Sequence, residues 1–286
     1  MNRPQDSTLG RSVDYPSSYD PGLLFPIPRS QGRHGLVCNE HGESTGEEFM
    51  PFTGHDRWHA YEVSWLNAKG KPQVTTLTIT VPAHSPFLIE SKSLKLYLNS
   101  YNNMRLGSLD DLIEHVDNDL TAVAGADVEV IAGLPPFAGT RDNPWPDRKI
   151  LTVDVDQADV EITSYGPPDA GLLVADPSTI VEEMLTSQLL KSNCPVTSQP
   201  DWASVRIAYK GPKLDPASVL RYIVSFRDHC EFHEQCVERI FCDIANLGMK
   251  TLSVDARYTR RGGLDINPWR ATPAHPLPVA LRDERQ

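Results

Sequence analysis

The stretch 57-RWHAYEVSWLNAKGKPQVTTLTITV-81 alternates apolar and polar residues on both sides of 67-NAKGK-71. A period of two puts alternate side chains on opposite faces of a strand, and an Asn/Gly cluster between two such runs marks a turn, so the segment predicts an antiparallel hairpin. Beyond Pro86 the period changes. In 90-ESKSLKLYLNSYNN-103 and 108-SLDDLIEHVDNDLTAVAG-125 apolar residues recur every three or four positions, which predicts two helices. Ser108 with Asp111 three residues on makes a capping-box-like start to the second helix, and Gly125 makes its stop. The strand 127-DVEVIA-132 follows.

The second half repeats this order. The alternation in 182-EEMLTSQLL-190 favours a strand over a short helix, and 202-WASVRIAYKG-211 reads as another strand. The run 216-PASVLRYIVSFRDHC-230 reads as a helix opened by proline in its first turn. In 231-EFHEQCVERIFCDIANLG-248, Val237, Ile240, Phe241, Ile244 and Leu247 form one apolar helical stripe. The alternating 250-KTLSVDARYTR-260 closes the half as a strand. Two passes of strand, strand, helix, helix, strand predict an α+β fold in which one unit, an antiparallel sheet with two helices on one face, has been duplicated. The expected organisation is an extended N-terminal arm over 1–40, a first module over 41–165 and a second over 166–286, with the boundary near Gly166. The Pro-, Gly- and Asp-rich link between them contains one apparent strand, 149-KILTVDVDQADVEI-162.

Composition narrows the function classes. The 286 residues carry a net charge of −11, which opposes direct binding of nucleic acid because phosphate neutralisation needs a basic field. No run approaches the roughly 20 apolar residues of a membrane span. The N-terminus lacks the apolar core of a secretory signal, so a cytoplasmic protein is expected. Five cysteines without paired spacing predict free thiols rather than a disulfide framework.

One of these thiols has polar, loop-like surroundings. In 191-KSNCPVTSQPDW-202, Cys194 lies between Asn193 and Pro195 at the end of an expected strand, with Lys191 near enough in sequence to favour a thiolate. Asp201 follows seven residues later. A carboxylate raises the pKa of a neighbouring thiol, so the pair reads as a nucleophile with acid–base assistance. The segment 231-EFHEQC-236 offers further groups: His233 to move a proton, Phe232 to stack on a ring, and Glu234 to accept paired N–H bonds from a purine-like edge. The plainer alternative makes Glu234 a residue that complements the helix dipole, His233 a satisfied histidine and Phe232 core. Cys194, His233 and Cys236 together would also supply three ligands for zinc, although His-x-x-Cys lacks a second tight pair.

Neither a dinucleotide-binding glycine fingerprint nor a P-loop is present. Phosphates would therefore meet side-chain charge, from Lys92 and Lys95 in the first helix or from Arg260 and Arg261 beside Gly262 and Gly263. The bare glycine backbone allows close approach to an anion.

These blocks, in this order, resemble the QueF family of NADPH-dependent nitrile reductases, which convert 7-cyano-7-deazaguanine to 7-aminomethyl-7-deazaguanine in queuosine biosynthesis. The similarity is carried by 65-WLNAKGKPQV-74, 88-LIESKSLKLYLNSYN-102, 189-LLKSNCPVTSQPDW-202, 225-SFRDHCEFHEQCVERIF-241 and 256-ARYTRRGGLDINPWR-270. It implies tandem tunnelling-fold (T-fold) modules and a homodimer. It also implies that Cys194 forms a covalent thioimide with the nitrile, with Asp201 and His233 handling protons. Glu90, Ser91, Phe232 and Glu234 would bind the deazapurine. Ser91, Lys92, Lys95, Arg260, Arg261, Gly262 and Gly263 would meet NADPH, consumed as two equivalents per turnover with no metal. Two alternatives remain at this stage: a zinc-dependent GTP cyclohydrolase-like enzyme, and a purine- or pterin-binding T-fold protein without catalysis.

Overall fold

The computed structural model describes residues 3–7, 15–36, 50–137, 150–273 and 275–286. Its strands and helices run β1 (Pro26–Pro28), α1 (Ser30–Arg33), β2 (Thr53–Leu66), β3 (Pro72–Pro82), β4 (Phe87–Ile89), α2 (Ser91–Ser100), α3 (Leu109–Ala124), β5 (Glu129–Ala132), β6 (Leu151–Asp154), β7 (Ala175–Asn193), β8 (Pro200–Leu214), α4 (Pro216–Val224), α5 (His233–Ala245), β9 (Thr251–Tyr258) and β10 (Leu264–Ala271). The order is α+β with mostly antiparallel pairing, as expected. Contacts divide the chain into two compact units. One is drawn from Met1–Gln31, His55–Pro135 and Arg260–Ile266, the other from Gly32–Gly54, Pro136–Thr259 and Asn267–Gln286. Gly166, read as a boundary from the sequence, falls inside the second unit.

In the first unit, β2 and β3 form the hairpin, in register from His55 opposite Pro82 to Leu66 opposite Pro72. The turn closes locally. Asn67 Oδ1 accepts from the N–H groups of Lys69 and Lys71, both at 3.0 Å. Gly70 takes φ of +79°, a left-handed conformation that glycine adopts without a Cβ clash. β5 adds to the other edge of β3. The capping box of α3 is present, with Ser108 Oγ accepting from Asp111 N at 3.1 Å and Gly125 ending the helix at φ +69°. The periodic apolar residues of both helices meet the sheet: Leu94, Leu98, Leu112, Val116 and Leu120 share a buried core with Trp58, Val63, Leu77 and Ile79. The arm is not simply extended. β1 pairs with β4, and Tyr19 donates to Asp119 at 2.6 Å.

The second unit lines up β6, β7, β8, β9 and β10 as successive neighbours. The segment 182–190 is strand, part of the 19-residue β7. Three points need correction. Only Leu151–Asp154 of the link is strand, and it pairs parallel with β7, whereas the rest of that run turns away after Asp154 caps a short 3-10 helix. α4 stops at Val224, several residues before Cys230. β10, which the sequence reading leaves unassigned after the strand ending at Arg260, is a buried strand, its alternation hidden because both faces are covered. α4 is capped by Asp215, which accepts from Ser218 N at 3.0 Å.

Cys194, Cys230 and Cys236 are free thiols, but Cys242 is disulfide-bonded. Free thiols are present as expected, but Cys242 is not among them, because pairing depends on spatial approach rather than sequence spacing. Cys38 lies outside the described residues.

α5 is fixed by a buried charge cluster. Glu238, 2% exposed, receives Arg33 Nη2 at 2.8 Å and Arg270 Nη2 at 2.8 Å, while Arg270 Nη1 donates to the Trp269 carbonyl at 2.9 Å. Glu238→Ala would leave two buried guanidinium groups without their carboxylate and is expected to lower unfolding free energy by about 3–5 kcal/mol. Urea denaturation followed by circular dichroism measures this.

Candidate active site

The two ends of β7 and β8 build the centre of the second unit. Strand register places Asn193 opposite Pro200 and Ser192 opposite Asp201. The connecting turn is closed by Cys194 N donating to the Gln199 carbonyl at 2.9 Å and Ser198 N donating to the Cys194 carbonyl at 3.0 Å. The seven-residue spacing thus becomes a tight reversal that returns Asp201 to the same end of the two strands as Cys194. Cys194 is buried yet lies outside the apolar core cluster, whereas Cys236 and Cys242 belong to it. That difference separates a thiol held in a loop from cysteines used in packing.

His233 opens α5 and brings its Nε2 to 3.4 Å from Asp201 Oδ1, with both side chains largely buried. Glu234, the next residue, is 3% exposed. Phe232 is half-buried at the N-cap of the same helix. Cys194, Asp201 and the 232–234 run are therefore all held at one end of β7, β8 and α5. The helix supplies a favourable N-terminal dipole for an anionic Glu234.

The loop that carries this helix start is clamped to the strand that carries Cys194. Asn193 N donates to the His229 carbonyl at 2.8 Å, and Glu231 N donates back to the Asn193 carbonyl at 3.1 Å. Glu231 in turn holds His229 Nε2 at 3.0 Å and Arg239 Nη2 at 2.8 Å. Burial alone would raise the Glu231 carboxyl, but the bonds from His229 and Arg239 outweigh it and hold the group below its ordinary value. Sequence reading passed over this cluster. Its signal was the eight-residue spacing of Glu231 and Arg239, about two helical turns, obscured because the helix begins only at His233. Lys191, expected to favour the thiolate, instead donates to Asn193 Oδ1 at 2.8 Å and to the Arg227 carbonyl.

Among the described residues, no three His, Cys, Asp or Glu side chains form a group able to hold a metal. Cys194, His233 and Cys236 are thus not assembled as a ligand set. Burial, then the nearby Glu231, pushes the Cys236 thiol well above its ordinary value, which opposes the thiolate a metal needs.

The other candidates lie in the first unit. Glu90 caps α2, its two oxygens accepting from Lys92 N at 2.7 Å and Ser93 N at 2.8 Å, with Ser91 Oγ at 3.4 Å. Burial raises its carboxyl above the ordinary range despite these bonds and the charge of Lys95. Gly262 and Gly263 adopt φ of +61° and +82°, and a Cβ on Gly262 would stand 3.1 Å from Lys95 Nζ. The Arg260 guanidinium lies 4.3 Å from the Tyr61 ring centroid. Lys95 of α2 and the Arg-Arg-Gly-Gly turn thus form one basic cradle, with open space at Gly263. Lys92 lies three residues before Lys95, outside the fully buried positions of α2.

Comparison with known proteins decides the family. Residues 15–132 match the family model described as nitrile reductase, 7-cyano-7-deazaguanine-reductase N-term, and residues 200–276 match QueF-like protein. A protein of Stenotrophomonas maltophilia (strain R551-3), named NADPH-dependent 7-cyano-7-deazaguanine reductase, is 57% identical over the whole of both chains. The chain belongs to the QueF family. Proteins of the same name from Xanthomonas campestris pv. campestris (strain B100) and Bordetella avium (strain 197N) are 54% and 49% identical, covering 100% and 98% of both chains. The α+β units fit the tandem T-fold-like arrangement of this family. No helix among the described residues is long and apolar enough to cross a membrane.

The Glu231 clamp makes a pH prediction. Because the folded chain holds this carboxyl below its ordinary value of 4.5, its stabilising contribution is present above about that pH and disappears as pH falls through the folded value. Glu231→Gln should therefore flatten the acid limb of thermal stability between pH 6 and 3, read by calorimetry; an unchanged limb would show that the clamp is idle.

Proposed function

We propose that the chain catalyses the NADPH-dependent reduction of the nitrile of 7-cyano-7-deazaguanine to the aminomethyl group, in the biosynthesis of queuosine. The observation that supports the reading is the reversal at 194–201, which brings to one strand end a buried loop thiol and a carboxylate 3.4 Å from a helix-start histidine. A nitrile carbon is a poor hydride acceptor, and addition of sulfur splits one hard step into easier ones. Cys194 Sγ bonds to the nitrile carbon as one C–N π bond breaks. Asp201 takes the thiol proton and returns it to the nitrogen, giving a covalent thioimide.

Glu234, with Phe232, binds the deazapurine: an anionic carboxylate accepts the paired N–H groups of the guanine-like edge, and the phenyl ring stacks. In the first unit, Glu90 and Ser91 are likewise suited to a guanine-like edge. Two oxygens already engaged as a helix cap still have lone pairs for further donors. Lys92, Lys95, Arg260, Arg261, Gly262 and Gly263 suit the phosphates of NADPH, a fit supported by the basic cradle at the glycine turn. When bound, NADPH supplies hydride, two equivalents per nitrile. His233 donates a proton to the substrate nitrogen, its imidazole kept oriented by Asp201. Burial of Cys194 and Asp201 keeps water from the half-reduced C=N group. The protein works in the cytoplasm as a homodimer on a small molecule, without direct contact to nucleic acid.

Intact-mass measurement after mixing with 7-cyano-7-deazaguanine in the absence of NADPH should show a substrate-sized gain that vanishes in Cys194→Ala. Normal turnover by that variant would refute nucleophilic catalysis. Asp201→Asn should keep base binding and slow turnover by on the order of 10²-fold or more. Glu234→Ala should weaken base binding by about 1–3 kcal/mol, measured by titration calorimetry; unchanged affinity would remove it from the recognition site.

A further inference from the structure

Behind His233 lies an aromatic side chain to which the chemistry above gives no role. Tyr258 ends β9, 1% exposed, and its ring centroid is 4.1 Å from that of His233, with the two planes at 74°. Register puts Tyr258 opposite Ala203, two residues on from Asp201. Directly opposed residues share a face of the sheet, as do residues two apart on one strand. Asp201 and Tyr258 therefore look the same way, towards the start of α5, which packs against β9. The imidazole is held between them: Asp201 Oδ1 stands 3.4 Å from Nε2, and the phenol ring meets it edge to face.

The phenol is not equipped to carry protons. Burial, followed by the charges of Cys236 and Asp201, keeps it well above the ordinary tyrosine range. Its Oη faces the buried side chains of Ser192 and Cys236, neither of which takes part in the chemistry above. What Tyr258 offers His233 is its ring. A histidine in the first turn of a helix has few intrahelical neighbours to restrain χ2, and a close edge-to-face contact restricts that rotation.

We propose that Tyr258 is a positioning residue for the nitrile reduction, its ring fixing the His233 imidazole in the orientation that faces Asp201. This rests on the reading of His233 as the proton donor. It extends that reading to a residue whose ring acts only through His233, so its removal should lower turnover without loosening the base.

The test is a double-mutant cycle on the full chain, with steady-state NADPH oxidation and intact-mass adduct formation as separate readouts. Tyr258→Leu should lower kcat by on the order of 10- to 100-fold, the scale of a misplaced reacting group, with KM for the nitrile within about two-fold. Tyr258→Phe keeps the ring and should retain kcat within about two-fold. In a His233→Ala background, Tyr258→Leu should cost nothing further, because its partner is already gone. If circular dichroism shows Tyr258→Leu unfolded, Tyr258→Met takes its place with the same expectations. An equal loss from the Tyr258 change with and without His233, an effect confined to KM, or an unaffected kcat would each overturn the positioning role. The Cys194 adduct should form in every Tyr258 variant. Its absence from the unmutated chain would instead overturn the nitrile chemistry itself, and the positioning role with it.

Discussion

The carboxylate of Glu238, sealed between Arg33 and Arg270, is the constraint that gives α5 its place. A buried carboxylate between two guanidinium groups is a poor source of net stability, because desolvation of three charges offsets most of their attraction. Its value is directional. Few helix positions other than the observed one pair all three groups. Since α5 opens with His233 and Glu234, a cluster one and a half turns away fixes where the helix start meets β7 and β8. The Glu231 clamp does the same from the other side, tying the preceding loop to Asn193 and therefore to the residue beside Cys194. Two ionic clusters outside the chemistry thus hold the thiol, carboxylate and imidazole in register.

The three buried cysteines of the second unit illustrate how context separates chemistry from packing. Cys236 sits in the apolar core, where desolvation keeps its thiol protonated, and Cys242 is disulfide-bonded. Cys194 alone among them is held by a strand-end turn outside that core. Exposure does not discriminate, since all three are nearly inaccessible. The secondary-structure position does: a residue at a reversal has backbone and polar neighbours on several sides.

Glu90 shows a helix cap that is costly to bury. As the N-cap of α2 it neutralises the orphan N–H groups of Lys92 and Ser93, a local task any short acceptor performs. Glutamate is an unusual choice for a cap, and its burial against the desolvation that raises its pKa is a cost that capping alone does not explain. That cost fits the recognition role proposed for Glu90, with capping keeping the side chain rigid.

The sequence by itself determined the elements whose signals are local: the β2–β3 hairpin through its alternation and Asn67–Gly70 turn, α3 through Ser108, Asp111 and Gly125, and the apolar stripe of α5. It also marked Cys194 and Asp201 as a pair, because a short polar reversal between strands brings its ends together whatever the rest of the chain does. Only the tertiary structure decided what depended on distant partners. β10 is buried on both faces and so shows no alternation; β6 pairs parallel with a strand some thirty residues away; Lys191 turns to Asn193 and Arg227 rather than to the thiol. Tyr258 behind His233, Arg270 against Glu238 and the pairing of Cys242 likewise join residues whose separation along the chain carries no periodic signal. Periodicity records which side of an element is apolar, whereas the partner on that side is set by packing and electrostatics summed over the whole unit.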